Sequence, residues 1–177
     1  MKKILFILLI FIFCNVALGS IKENIINNLM SIENLNFNFE QNINGKIETG
    51  NCTIEYPKKI FCKYNVSNEK ILVSNGKSLV IKTKSGSYYR YSIKRTPLNY
   101  ILDKNFLINE IKNLNERVVD DKFLNFTIFK DENEINIFFD KKSYSLIGWQ
   151  TLDIYRNLNI IHLSFIKINM VLEKNIF

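Results

Sequence analysis

The sequence predicts a mainly β exported domain, one long antiparallel meander preceded by a helix and interrupted by helical turns at mid-chain. Three observations carry this reading. The chain opens on a short apolar leader, apolar residues then alternate with polar ones over most of its length, and that period of two gives way to a helical period in two places.

Lys2 and Lys3, the apolar stretch Ile4 to Phe13, and the small residues Ala17 and Gly19 before Ser20 have the form of a secretory signal peptide, with cleavage expected after Gly19. The apolar run of about ten residues is too short for a bilayer span, which needs roughly 20. Cys14 follows bulky Phe13 where a lipid-attachment site takes a small residue, so it is expected to leave with the leader. Residues 1–19 are read as signal peptide and 20–177 as one soluble domain, long enough to bury a sizeable core. The formal charge is +7, and +5 without Lys2 and Lys3. The remaining charges read as scattered over a solvated basic surface, the sharper alternative being mild attraction to anionic lipid headgroups or to an acidic partner.

Ser20-Ile-Lys-Glu23 has the form of a capping box, and Ile21, Ile25, Leu29 and Ile32 recur at helical spacing, so a helix is expected from Ser20 to about Asn34. From Leu35 the period is two, with Leu35, Phe37, Phe39 and Gln41 on one face. A turn at Asn44-Gly45 leads to a strand from Gly50 to Glu55, and Tyr56-Pro57-Lys58-Lys59 turns the chain into Ile60 to Tyr64. Asn75-Gly76 is a strong hairpin signal, and a two-residue loop there would pair Leu72 with Leu79. Ser85-Gly86-Ser87 makes another hairpin, giving a strand in which Tyr89, Tyr91 and Ile93 alternate with Tyr88, Arg90 and Ser92.

Thr96 then suits an N-cap and Pro97 the first helical position, with Leu98, Ile101 and Leu102 as the stripe of a short helix. Phe106, Leu107, Ile111 and Leu114 suggest further helical turns. Four strands complete the meander: Phe123 to Phe129, Glu134 to Phe139, Leu146 to Tyr155 and Ile160 to Ile168. A sheet of about nine or more strands curls, and either closes or wraps around something. Few helical stripes face so much Phe, Tyr, Ile and Leu. That leaves two readings open, a solidly packed core and an apolar hollow for a hydrophobic ligand.

Phe39-Glu40-Gln41 after a helix, then Gly50 with Tyr56-Pro57-Lys58-Lys59-Ile60-Phe61, resembles the opening of the outer-membrane lipoprotein carrier (LolA) family. Ile71-Leu-Val-Ser-Asn-Gly-Lys-Ser-Leu79 is similar to that family's signature hairpin, and Thr96-Pro97-Leu98 falls where the family has its lid helix. Leu146-Ile-Gly-Trp149, Asp153 and the closing Leu172 to Phe177 resemble the alphaproteobacterial branch. The resemblance implies an unclosed antiparallel barrel, or half-barrel, with an N-terminal helix and a mid-chain helical lid over an apolar cavity. It implies a monomeric periplasmic chaperone that takes acylated lipoproteins from an inner-membrane ABC-type release complex to the outer membrane or an acceptor there.

Two departures stand out. Many members carry an Arg before the turn proline, where it holds the lid shut; here that residue is Tyr56, which implies a weaker or mainly apolar latch. The chain also stops at Phe177, short of the tail that relatives carry. The expected lining, free of buried charge, is Phe39, Ile54, Ile60, Leu72, Leu79, Ile81, Tyr89, Tyr91, Leu98, Ile101, Leu102, Phe126, Ile128, Ile135, Ile137 and Trp149. Tyr56, Pro57, Ile60, Pro97 and Leu98 are assigned to the lid and to docking, with Ile60 at the rim that meets the release complex in the family.

Pairing about Pro57 sets Ile54 opposite Ile60 and Cys52 opposite Cys62, close enough for a disulfide in an oxidising compartment. Two free thiols are the alternative, and two Cys without a nearby His are too few for zinc. His162 has no Cys or carboxylate at ligand spacing and reads as a surface or satisfied residue. No phosphate-cradling Gly loop or nucleophile elbow is present. No enzyme activity, metal, cofactor or nucleic-acid partner is expected. The alternatives to a shuttle are an outer-membrane lipoprotein acceptor or sensor on the same fold, and an exported lipid-binding module of another family.

Overall fold

A computed structural model describes residues 20–65, 69–153 and 155–177, so the expected signal peptide lies outside the described residues. Helix α1 (Ile21–Ser31) begins on the expected capping box: Ser20 Oγ accepts from the Glu23 amide at 3.2 Å, and the Glu23 carboxylate accepts from the Ser20 amide at 2.8 Å. It ends three residues earlier than the periodicity suggested. Asn34 instead opens strand β1, its side chain bonding both the carbonyl and the amide of Met170.

β1 (Asn34–Ile43) buries Leu35, Phe37, Phe39 and Gln41 on one face. Asn44 and Gly45, both at positive φ, turn it into β2 (Lys46–Glu55), which stays paired from its first residue and so is longer than expected. A turn with a cis Tyr56–Pro57 peptide leads to β3 (Lys59–Tyr64), and the pairing sets Cys52 opposite Cys62 and Ile54 opposite Ile60.

β4 (Ile71–Asn75) and β5 (Ser78–Lys82) form a hairpin whose register differs from the expected one. The loop is Gly76-Lys77, and Leu72 pairs with Ile81 while Leu79 pairs with Ser74. Asn75 Oδ1 accepts from the amides of both Lys77 and Ser78 at 3.0 Å, so asparagine closes the loop from its flank, and Gly76 supplies the positive φ. A slip of two residues leaves every side chain on its original face.

After β6 (Tyr88–Ser92) come a 3₁₀ turn (Ile93–Arg95), the single-turn helix α2 (Leu98–Ile101) and α3 (Lys104–Asn113). Thr96 is not the N-cap. Its hydroxyl donates to the Ile93 carbonyl at 2.9 Å, and Pro97 occupies the cap position. Asp103 caps α3 by accepting from the Phe106 amide at 3.1 Å. The short β7 (Arg117–Val119) had no sequence signal; β8 (Phe123–Lys130), β9 (Asn133–Asp140), β10 (Leu146–Leu152) and β11 (Leu158–Ile168) follow.

All eleven described strands make one antiparallel sheet in the order β6-β5-β4-β3-β2-β1-β11-β10-β9-β8-β7. The first and last strands meet at its centre while β6 and β7 remain as free edges, so the sheet is an open barrel, as the resemblance implied. Gly50 permits a close approach: a Cβ there would lie 2.2 Å from the Lys63 carbonyl and 2.8 Å from the Phe39 ring, which crosses above it to meet Tyr64 edge-on.

The concave side is filled unevenly. α1 and α3 are tied together by Lys22 on the Leu114 carbonyl and by Lys104 on the Ile32 carbonyl, and Asn28 ties α1 to the β9–β10 turn. Ile25, Leu29, Leu107 and Ile111 from these helices join Leu124, Phe126, Ile135 and Ile137 in a solid buried cluster. Over the hollow that remains beside β3 to β6, the cover is the short stretch around α2, with Thr96, Pro97, Leu98 and Ile101.

Candidate functional site

Under that thin cover lies a cavity of about 230 Å³. Phe37, Phe39, Cys52, Ile60 and Cys62 form its base, Leu72, Leu79, Ile81 and Tyr91 one wall, Trp149 and Ile161 the other, and Thr96, Pro97, Leu98 and Ile101 the cover. Cys52 and Cys62 are disulfide-bonded across β2 and β3, with their Cα atoms 4.1 Å apart. The cavity is apolar toward α2 and polar toward the other end of the sheet, where β1 ends and β11 begins.

The polar end is a network. Tyr64 Oη donates to Gln41 Oε1 at 2.8 Å, and Gln41 Nε2 donates to Asn159 Oδ1 at 2.9 Å. Lys70 pairs with Glu48 and holds its ammonium 3.8 Å from the Tyr64 ring centre, while Lys46 meets Glu48 at 3.2 Å. Glu48 is 6 % exposed and stands beside the lining, itself expected to be free of buried charge, without belonging to it. Burial raises the Glu48 carboxyl, but Lys70 and Lys46 outweigh it and hold the group below its usual value. The Tyr64 phenol is pushed up, by burial first and then by Glu48.

Residues 31–177 match the family model described as outer membrane lipoprotein carrier protein LolA. The chain belongs to the LolA family. Against curated proteins the chain finds no match. Among solved structures, it is similar to an uncharacterized conserved protein from Thermus thermophilus, with a TM-score of 0.51 at 6% identity, covering 88% of this chain and 90% of that one. A LolA superfamily protein from Nitrosomonas europaea aligns at a TM-score of 0.47 and 10% identity over 89% of this chain and 96% of that one. LolA is a family of carriers, and among the described residues no helix is long and apolar enough to cross a membrane.

Of the lining residues expected from the sequence, nine surround the cavity: Phe39, Ile60, Leu72, Leu79, Ile81, Tyr91, Leu98, Ile101 and Trp149. The other seven lie elsewhere. Ile54, Leu102, Phe126, Ile128, Ile135 and Ile137 are fully packed into the solid core, because helices already cover that side of the barrel. Tyr89 shares a face with Tyr91 but sits on the free edge strand and is half exposed. Phe37, Gln41, Ile43, Tyr64 and Ile161 were missed, although Phe37 and Gln41 carry the same alternation as Phe39. Lys70, Thr151, Asp153, Tyr155 and Asn159 carry no local signal, since only the assembly of the sheet brings them to the cavity. His162 is exposed on β11, opposite Glu40.

The cover is fastened beside the Pro57 turn, but not by Tyr56. The Lys58 amide donates to the Leu102 carbonyl at 2.7 Å, and its ammonium pairs with Asp103 at 3.2 Å. Tyr100 Oη donates to Asp131 in the β8–β9 turn, tying α2 on its other side; that hydrogen bond pushes the phenol up. The Tyr56 hydroxyl is buried with no hydrogen-bond partner among the described residues, and burial pushes this phenol up as well. Ile60, assigned to rim docking, is 3 % exposed and faces the cavity, so it offers no surface to a partner. Pro57 is exposed at the turn, and Pro97 and Leu98 are half-buried in the cover.

Proposed function

We propose that this protein is a periplasmic carrier of acylated lipoproteins, receiving them from an inner-membrane ABC-type release complex and delivering them to the outer membrane or an acceptor there. The observation that carries this reading is the apolar cavity beneath a one-turn cover. Each methylene removed from water is worth roughly 0.8 kcal/mol, so an acylated tail in water faces a penalty of tens of kcal/mol that only an enclosing carrier offsets. A hollow of ~150 Å³ lined by aliphatic side chains accepts benzene, so 230 Å³ takes part of one acyl chain with the cover shut. More cargo requires α2 to move.

The cavity's polarity gives the cargo a direction. Acyl ends point toward Ile60, Leu98 and Ile101, and the ester and amide groups lie at the Gln41, Tyr64 and Asn159 network. The motifs at Leu146 to Trp149 and at the C-terminus support an alphaproteobacterial kind of carrier, and the leader supports export. Recovery of the protein from its cells, with mass spectrometry of what accompanies it, tests the reading. Acylated lipoproteins are expected; free phospholipid alone, or nothing, would contradict it.

A further inference from the structure

The charged residues of this protein are scattered, but their net positive excess is local. Between Lys77 and Arg95 lie six cations, Lys77, Lys82, Lys84, Arg90, Lys94 and Arg95, and no Asp or Glu. The formal charge is +7; setting aside Lys2, Lys3 and these six leaves the rest of the chain at −1. One nineteen-residue segment thus holds the whole excess.

The fold puts that segment on one exposed edge. It comprises β5, β6 and the 3₁₀ turn, and β6 has no strand beyond it. All six cations are exposed, and among the described residues only Lys84 has an ion-pair partner, Glu69 at 3.7 Å. Lys82, Tyr88 and Arg90 share the outer face, with the Lys82 ammonium 5.8 Å from the Tyr88 ring centre. Tyr88 and Tyr89 are 67% and 50% exposed on the same edge. The inner face of these strands, with Leu79, Ile81 and Tyr91, is the cavity wall, and α2 follows directly.

We propose that the β5–β6 edge, with the 3₁₀ turn after it, is a docking surface for an anionic lipid bilayer. Charge complementarity points to the partner: juxtaposed Lys and Arg are drawn to a surface of anionic headgroups within a Debye length. The tyrosines favour a bilayer over an acidic protein, because amphipathic rings settle at headgroup level. So does the layout, in which cations run along an open edge and its flanking turns instead of converging on a cleft. Docking here would lay the cavity wall and its cover against the membrane, where an apolar ligand has the shortest path across. The inference does not depend on what the cavity carries.

The test is co-sedimentation of the exported protein with phosphatidylcholine vesicles, with and without about 30 % phosphatidylglycerol, at low and high salt. Binding is expected only with the anionic lipid and is expected to fall with salt. Each cation removed should weaken partitioning roughly fivefold, so the triple variant Lys82→Gln, Lys84→Gln, Arg90→Gln should lose on the order of 100-fold. The control triple Lys63→Gln, Lys130→Gln, Lys142→Gln should lose far less. Equal loss in both triples, equal binding to neutral vesicles, or no vesicle binding alongside capture by an acidic protein would each overturn the proposal. So would unchanged vesicle binding by a β5–β6 triple variant that self-associates, since the cations would then serve only to guard a free edge. Circular dichroism of each variant confirms that the fold is retained.

Discussion

Replacing Tyr56 with Phe should stabilise this protein, although the resemblance implied a latch at that position. The Tyr56 hydroxyl is buried and unpaired among the described residues, and the desolvation of such a group costs roughly 1–3 kcal/mol. Phe keeps the ring and removes the cost, so a gain of about 1–2 kcal/mol is expected. For a domain of this size each kcal/mol moves Tm by roughly 2–4 °C, giving a rise of several degrees in thermal denaturation. Uptake of a fluorescent fatty acid by stopped flow should be unaltered, because no bond to the cover is lost. Asp103→Asn should behave in the opposite way. It retains an N-cap for α3 but removes the ion pair with Lys58, whose partners are each more than a quarter exposed, so it costs at most about 1 kcal/mol and speeds uptake up to about fivefold. A Tyr56→Phe variant that melts lower and loads faster would refute the reasoning, and would return the latch to the tyrosine hydroxyl.

Three further outcomes follow from the site. Glu48 is held below its usual 4.5 by Lys70 and Lys46, so its contribution to stability is complete above that value and is lost as pH falls through the depressed one. Tm followed from about pH 7 to about pH 3 should therefore show an acid loss that Glu48→Gln flattens; an identical acid limb in the variant would contradict the pairing. Cys52 and Cys62 close a loop of ten residues, and their joint replacement by Ala should cost about 3 kcal/mol in urea denaturation. Two free thiols in the denatured, unreduced protein would exclude the bond. Gly50→Ala would set a Cβ against the Lys63 carbonyl and the Phe39 ring, and should cost about 1–3 kcal/mol or more; a neutral effect would mean that the approach there is less close.

The strands were legible because alternation is local: Leu35, Phe37, Phe39 and Gln41 announce their buried face without knowledge of any partner. So was the capping box at Ser20, whose bonds span three residues. The β4–β5 register was misread by two because Asn75 bonds forward from the flank of the loop, a choice that Asn-Gly alone does not reveal. The distinction between hollow and core was not legible at all. Phe126 and Phe39 sit in the same kind of alternating run, and what separates them is where α1 and α3 end their cover. Glu48 and Lys70 stand twenty-two residues apart on β2 and just before β4, so their pairing exists only once β2, β3 and β4 have assembled.

Everything said of cargo depends on an acyl chain occupying the space beside Trp149, the only tryptophan in the sequence, which lines the cavity and is 2 % exposed. Titration with a dibrominated stearate, set against ordinary stearate, reads that contact directly through tryptophan fluorescence. The account predicts saturable quenching by the brominated chain, reversed by excess stearate and weakened when Leu79→Phe narrows the wall opposite without adding a second tryptophan. Binding without quenching would place the chain outside the cavity and contradict the account.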